Sequence, residues 1–92
     1  MIVRISKPAR AEFEAAVAYL ATDSPRAAAR LRAAIEQAID SLALFPNRGR
    51  KSPIEGLREI VVRGTPYAVA YSVGDDDVVV IRIRHTSRDP NP

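Results

Sequence analysis

The sequence has no cysteine and no tryptophan, one histidine, three tyrosines and two phenylalanines. Without thiols there is no disulfide framework, no thiol nucleophile and no cysteine-based zinc or iron–sulfur site. One histidine, His85, cannot build a zinc site of the usual kind without carboxylate companions at ligand spacing. Glycine is sparse too; Gly56 and Gly64 stand alone, so there is no glycine-rich phosphate loop or dinucleotide fingerprint. No apolar run approaches the roughly 18 residues of a membrane span. The opening MIVRISKPAR lacks the apolar core of a secretory signal. The expectation is a cytoplasmic protein with no membrane partner and no cofactor or metal. With so few aromatics, the core must be built from Val, Ile, Leu and Ala. A core that thin gains from a permanent partner.

What is present suits one small folded domain spanning residues 1–92, with a hydrophobic fraction of 47%. Fourteen basic against eleven acidic side chains give a net charge of +3. Only Lys7 and Lys51 are lysines; the remaining cations are arginines, the better fork for carboxylate and phosphate.

The residues IVRIS (2–6) alternate and read as a first strand. Ser6 caps a following helix in which Phe13, Val17 and Leu20 form a narrow apolar stripe, with Pro8 tolerated in its first turn. TDSP (22–25) interrupts the pattern, and Ser24 and Pro25 start a second helix running to about Leu44. Its stripe is Ala28, Leu31, Ile35, Ala38, Ile39 and Leu42, and Pro46 ends it. The period then changes from 3.6 to 2. LREIVVR (57–63), YAVAYSV (67–73) and VVVIRIRH (78–85) read as strands joined by short turns at 64–66 and 74–77. The middle one sets large Tyr67, Val69, Tyr71 and Val73 against small Ala68, Ala70 and Ser72. In the last, Val79, Ile81 and Ile83 oppose Val78, Val80, Arg82 and Arg84. The order β-α-α-β-β-β predicts an α+β domain: a helical hairpin on one face of a small, mainly antiparallel sheet, and a partly naked, arginine-bearing face opposite.

Chemistry has few places to reside. Asp75, Asp76 and Asp77 occupy a turn, where acidic residues are common without a metal. Ser52, Ser72 and Ser87 lack a nucleophile-elbow context. What stands out is LFPNRGRKSP (44–53), where Arg48, Arg50 and Lys51 follow the end of an apolar run, together with Arg58, Arg63, Arg82, Arg84 and Arg88. Single charges in loops and at strand ends are usually solvated. As a group, with His85, Tyr67 and Tyr71 nearby in the pattern, they can clamp a phosphate and move a proton, or receive an acidic peptide.

The pieces L..FPNRGR, GLREIVVRGTPYAVAYSV and VVVIRIRHTSRDP, together with the first-helix pattern ending in AVAYL, resemble the RelE/ParE superfamily of toxins from bacterial toxin–antitoxin pairs. The resemblance spans nearly the whole chain. It implies a cognate antitoxin that wraps and neutralises the toxin, with operator DNA reached only through the antitoxin. RelE-like members cleave messenger RNA in the ribosome without metal; ParE-like members inhibit DNA gyrase. Arg88 falls where the C-terminal catalytic arginine of the RelE-like set would be. Ala68 stands where that set has an arginine after an aromatic, and no tyrosine follows Tyr71. The resemblance therefore implies a ParE-like gyrase inhibitor, not an enzyme, with Arg48, Arg50, Arg58, Arg63, Tyr67, Tyr71, Arg82, Arg84 and Arg88 as partner-binding residues. The alternative is a RelE-like endoribonuclease using Arg82, His85 and Arg88. A third reading is a non-toxic module that only binds the antitoxin. The shallow face of Ala68, Ala70 and Ser72 is the expected seat of a partner segment.

Overall fold

The computed structural model describes residues 1–87, so Arg88 lies outside the described residues. The elements run β1 (Ile2–Ile5), α1 (Lys7–Ala21), α2 (Pro25–Ser41), β2 (Arg50–Lys51), β3 (Arg58–Val61), β4 (Tyr67–Val73) and β5 (Asp77–His85). Both helices start as the sequence predicts. The Ser6 hydroxyl accepts from the Ala9 N–H and the Ser24 hydroxyl from the Ala27 N–H, each at 3.1 Å, satisfying amides that no helical carbonyl reaches. The second helix ends at Ser41, earlier than expected. Leu42 and Ala43 continue in tighter turns, their amides bonded to the carbonyls of Ile39 and Asp40.

The five strands lie in the order β1-β5-β4-β3-β2. The first strand runs parallel to β5, and the other pairings are antiparallel. The hairpin packs on one face of the sheet. Phe13, Val17, Leu31, Ile35, Ile39 and Leu42 meet Ile60, Val62, Val69, Tyr71, Val78, Val80 and Ile83 in a single apolar cluster. Burying a side chain of this size contributes about 1.5–3 kcal/mol relative to leaving it exposed. Gly64 in the β3–β4 turn has φ +80°, a conformation that penalises any side chain.

Two features depart from the sequence reading. The first is β2, a two-residue strand inside the basic loop, paired with Arg58 and Glu59. The second is a bulge in β5. Ala70 faces Arg82 but Tyr71 faces Val80, which leaves Ile81 as an extra residue. Side chains change sides at that point. Val78 and Val80 therefore share the core face with Ile83, while Arg82 and Arg84 point to the opposite face. An unbroken alternation would have put Val78 and Val80 on the same side as the arginines.

The opposite face of the sheet is not naked at its centre. Ala68 and Ala70 are 0% exposed. Glu59 on β3 and Arg84 on β5 flank β4 from either side, and their side chains meet across it. The small residues of β4 leave room for that meeting. The close approach expected of a partner segment is made by the chain's own ion pair.

Candidate functional site

The site grows from a strand edge. β1 covers the outer edge of β5 only from Asp77 to Val80. Beyond that point the bulge redirects the backbone, and the Ser6 hydroxyl bonds the Ile81 carbonyl at 3.2 Å. The Ile83 N–H then faces α1, where Glu12 Oε1 accepts it at 2.9 Å. The other oxygen of Glu12 accepts from Arg82 Nε at 2.8 Å. Both side chains keep about a third of their surface in solvent, at 30% for Glu12 and 31% for Arg82.

A cavity of about 400 Å³ opens here, lined by Glu12, Ala16, Tyr19, Tyr67, Arg82 and His85 among others. The rings of Tyr67 and His85 meet edge to face with centroids 5.2 Å apart. His85 Nδ1 lies 3.3 Å from the Ser87 amide nitrogen and accepts from it. A second cavity of about 450 Å³ shares Ala16, Tyr19 and Tyr67 and continues between the hairpin and the β3–β4 turn. Its floor is apolar, with Leu20, Leu31, Ala34 and Pro66, and Arg30 and Arg63 stand at its rim. A third, of about 630 Å³, shares Ala34 and Arg63 and extends to Arg48 and Val61. Together they form one furrow with a mixed polar and aromatic head and an apolar body edged by arginines.

The predicted site residues separate into two groups. Arg82, His85 and Tyr67 come together at the head of the furrow, and Arg63 and Arg48 line its body. Arg48 also donates to the Ser41 hydroxyl at 2.7 Å. Arg50 is exposed on β2. The others have structural work. Tyr71 is 0% exposed and belongs to the core, so it presents no surface to a partner. Its hydroxyl accepts from the Gly49 N–H at 2.9 Å, while Arg58 Nη1 donates to the Gly49 carbonyl at 2.7 Å. The basic loop is thus stapled to the sheet at a residue with no room for a side chain: a Cβ on Gly49 would lie 2.5 Å from the Tyr71 hydroxyl.

Arg84 lines the head cavity but is only 9% exposed. Its Nε and Nη2 donate to the two carboxylate oxygens of Glu59 at 2.8 and 2.9 Å. Ser52 donates to the same carboxylate at 3.1 Å. Burial pushes the Glu59 carboxyl up, but the hydrogen bonds from Arg84 and Ser52 and the charges of Arg84 and Arg50 outweigh it and hold it below its ordinary value.

Glu12 and Tyr19 were not singled out from the sequence. A helical wheel carries the signal: Glu12, Ala16 and Tyr19 form a row beside the core stripe of Phe13, Val17 and Leu20. Among the described residues no three His, Asp or Glu side chains are grouped to hold a metal ion, and no helix is long and apolar enough to cross a membrane.

With this geometry in hand, comparison with known proteins identifies the family. The family described as the ParE toxin of the type II toxin–antitoxin system parDE matches residues 3–90. Toxin RelE2 of Caulobacter vibrioides is 44% identical over 70 residues, covering 76% of this chain and 77% of the relative. Toxin RelE1 of the same organism is 36% identical over 84 residues, 90% of each chain. The fold is shared with a solved structure of the chromosomal ParDE system from P. aeruginosa, at a TM-score of 0.82 and 20% identity, covering 95% of this chain and 97% of that one. The chain belongs to the RelE/ParE superfamily of toxins from type II toxin–antitoxin systems.

Proposed function

We propose that this toxin cleaves messenger RNA on the ribosome, and that its cognate antitoxin silences it by lying along the furrow. Support for the target comes from the two relatives named as RelE toxins. The observation that carries it is the convergence of Arg82, His85 and Tyr67 on one solvent-open cavity at the edge of β5 beyond its pairing with β1. Strand cleavage by a neighbouring 2′-hydroxyl needs a group to take that hydroxyl's proton and return one to the departing 5′-oxygen, and a cation where charge builds on the non-bridging phosphate oxygens. His85 supplies the first and Arg82 the second. This reverses the gyrase reading that the sequence alone favours. Ala68, beneath the buried ion pair, brings no arginine of its own, so turnover is expected to be slow.

The antitoxin segment is read from the body of the furrow. Its apolar floor suits aliphatic anchors, and Arg30, Arg63 and Arg48 suit acidic flanks.

A gyrase-directed reading is kept because the matching family description is that of ParE and because Ala68 stands where the RelE-like set has an arginine. One preparation decides between them. Purified toxin is added to ribosomes translating a defined message and, separately, to gyrase relaxing or supercoiling a plasmid. Cleavage of the message, lost on adding antitoxin or on His85→Ala, is the expected result. Intact message with inhibited supercoiling overturns it.

A further inference from the structure

The head of the furrow holds two donors side by side, the guanidinium of Arg82 and the backbone N–H of Ile83, and the two oxygens of the Glu12 carboxylate accept one bond from each. The Ile83 N–H can face α1 because the pairing of β5 with β1 stops at Val80 and Ile81 bulges; on a fully paired edge it would face a strand. A guanidinium beside a strand amide that no neighbouring strand takes is a ready receptor for an anionic oxygen. We infer that Arg82 and the Ile83 N–H form an anion subsite that the chain fills with its own Glu12, and that a phosphodiester oxygen of RNA takes the carboxylate's place when a strand enters the cavity.

The pair is built to be exchanged. Glu12 and Arg82 are both partly solvated, and ion pairs of that kind are worth about 0–1 kcal/mol, little enough for an incoming phosphate to displace. Arg84 is different: its carboxylate partner is 2% exposed and cannot leave without stranding a buried charge. The choice of RNA over an acidic peptide rests on the surroundings. Tyr19, Tyr67 and His85 line the same cavity, and Tyr19 is 64% exposed. Aromatic faces beside a phosphate receptor are how unpaired bases are held. Glu12 is thus a positioning residue that keeps Arg82 and the strand edge in place and then yields them.

The inference rests on the nuclease reading only for the identity of the anion, and binding tests it without cleavage. The probe is a short oligonucleotide carrying 2′-O-methyl groups throughout, followed by fluorescence anisotropy across a salt series. Glu12→Ala is expected to bind it about tenfold more tightly than the natural chain, about 1.4 kcal/mol. The salt slope should steepen by about 0.7, one added single-strand phosphate contact. The gain should vanish in Glu12→Ala/Arg82→Ala. Glu14→Gln is the control: it removes the same charge from the same helix and frees Arg32, but has no strand amide beside it. Where the alanine variant does not fold, Glu12→Gln replaces it, removing the charge at nearly constant shape. A gain no larger than that of Glu14→Gln, or one that survives loss of Arg82, overturns the subsite. A larger gain for a polyglutamate peptide than for the oligonucleotide overturns RNA as the occupant. Tighter binding with no message cleaved by any variant removes the nuclease reading and leaves the subsite standing. Cleavage by the natural chain without the gain does the reverse.

Discussion

Arg84 and Glu59 sit on strands that do not touch, and their side chains close the gap between them with two hydrogen bonds of 2.8 and 2.9 Å across β4. Breaking one partner of such a pair leaves a buried charge, which typically destabilises by about 3–5 kcal/mol. Glu59→Gln and Arg84→Met are each expected to lower the unfolding free energy measured in urea by an amount in that range. The double substitution Glu59→Leu/Arg84→Met should recover most of the loss. Single variants as stable as the natural chain would show that the pair does not hold the sheet.

The same pair makes stability depend on acid. The Glu59 carboxyl is held below its ordinary value of 4.5. A carboxyl with a depressed folded pKa binds fewer protons folded than unfolded, so its contribution is complete above the unfolded value and disappears as pH falls through the lower folded one. Thermal melts from pH 7 down to pH 3 should show stability falling below about pH 4.5. The Glu59→Leu/Arg84→Met variant should show a shallower fall, and parallel curves would contradict the assignment.

Room above β4 is the corollary. Ala70→Leu places a branched side chain where the Arg84–Glu59 pair crosses, and overpacking of this kind costs about 1–3 kcal/mol. The measurement is again a denaturant midpoint. A neutral result would mean that the pair can move aside.

Arginines in the furrow and arginines in the frame should behave differently. Arg63→Ala/Arg48→Ala is expected to weaken antitoxin binding by more than tenfold, about 1.4 kcal/mol, in calorimetry, with little change in melting temperature. Arg58→Ala removes the donor to the Gly49 carbonyl and should instead lower stability by about 1 kcal/mol. Equal effects of both changes on affinity would place Arg58 in the interface as well.

Tyr71 gives a complementary check. Tyr71→Phe takes away the acceptor of the Gly49 amide and is expected to cost about 1–2 kcal/mol of stability while leaving toxicity in cells unchanged. Loss of toxicity from a stably folded Tyr71→Phe would return this hydroxyl to the active site.

Much of the fold was legible because its periods are clean. Phe13, Val17 and Leu20 mark one helix face, Ser6 and Ser24 mark the starts, and the change to period 2 marks the sheet. The bulge was hidden because VVVIRIR is β-branched or charged at every step, so nothing in it distinguishes an extra residue from a continuous alternation. The roles of the arginines were hidden for another reason. A cation reads the same in a sequence whether its partner is solvent or a carboxylate 25 positions away, as Glu59 is from Arg84. Tyr71 misled in the same manner, since one hydroxyl serves a partner, a proton transfer or a buried amide equally well. Glu12 reads in the sequence as one more charge on a helix face, and its task depends on a strand edge 71 residues further on.

Ile81 divides β5 into two halves with different neighbours. The first half is clasped on both sides, by β1 and by β4, whereas the second has β4 on one side and, among the described residues, Glu12 on the other. Local opening follows how many bonds must break at once, so the two halves should exchange their amide hydrogens on separate timescales, Val78 slowly and Ile83 quickly. The edge proposed to receive RNA therefore lies on the half of the strand expected to open first, the half that β1 does not clasp.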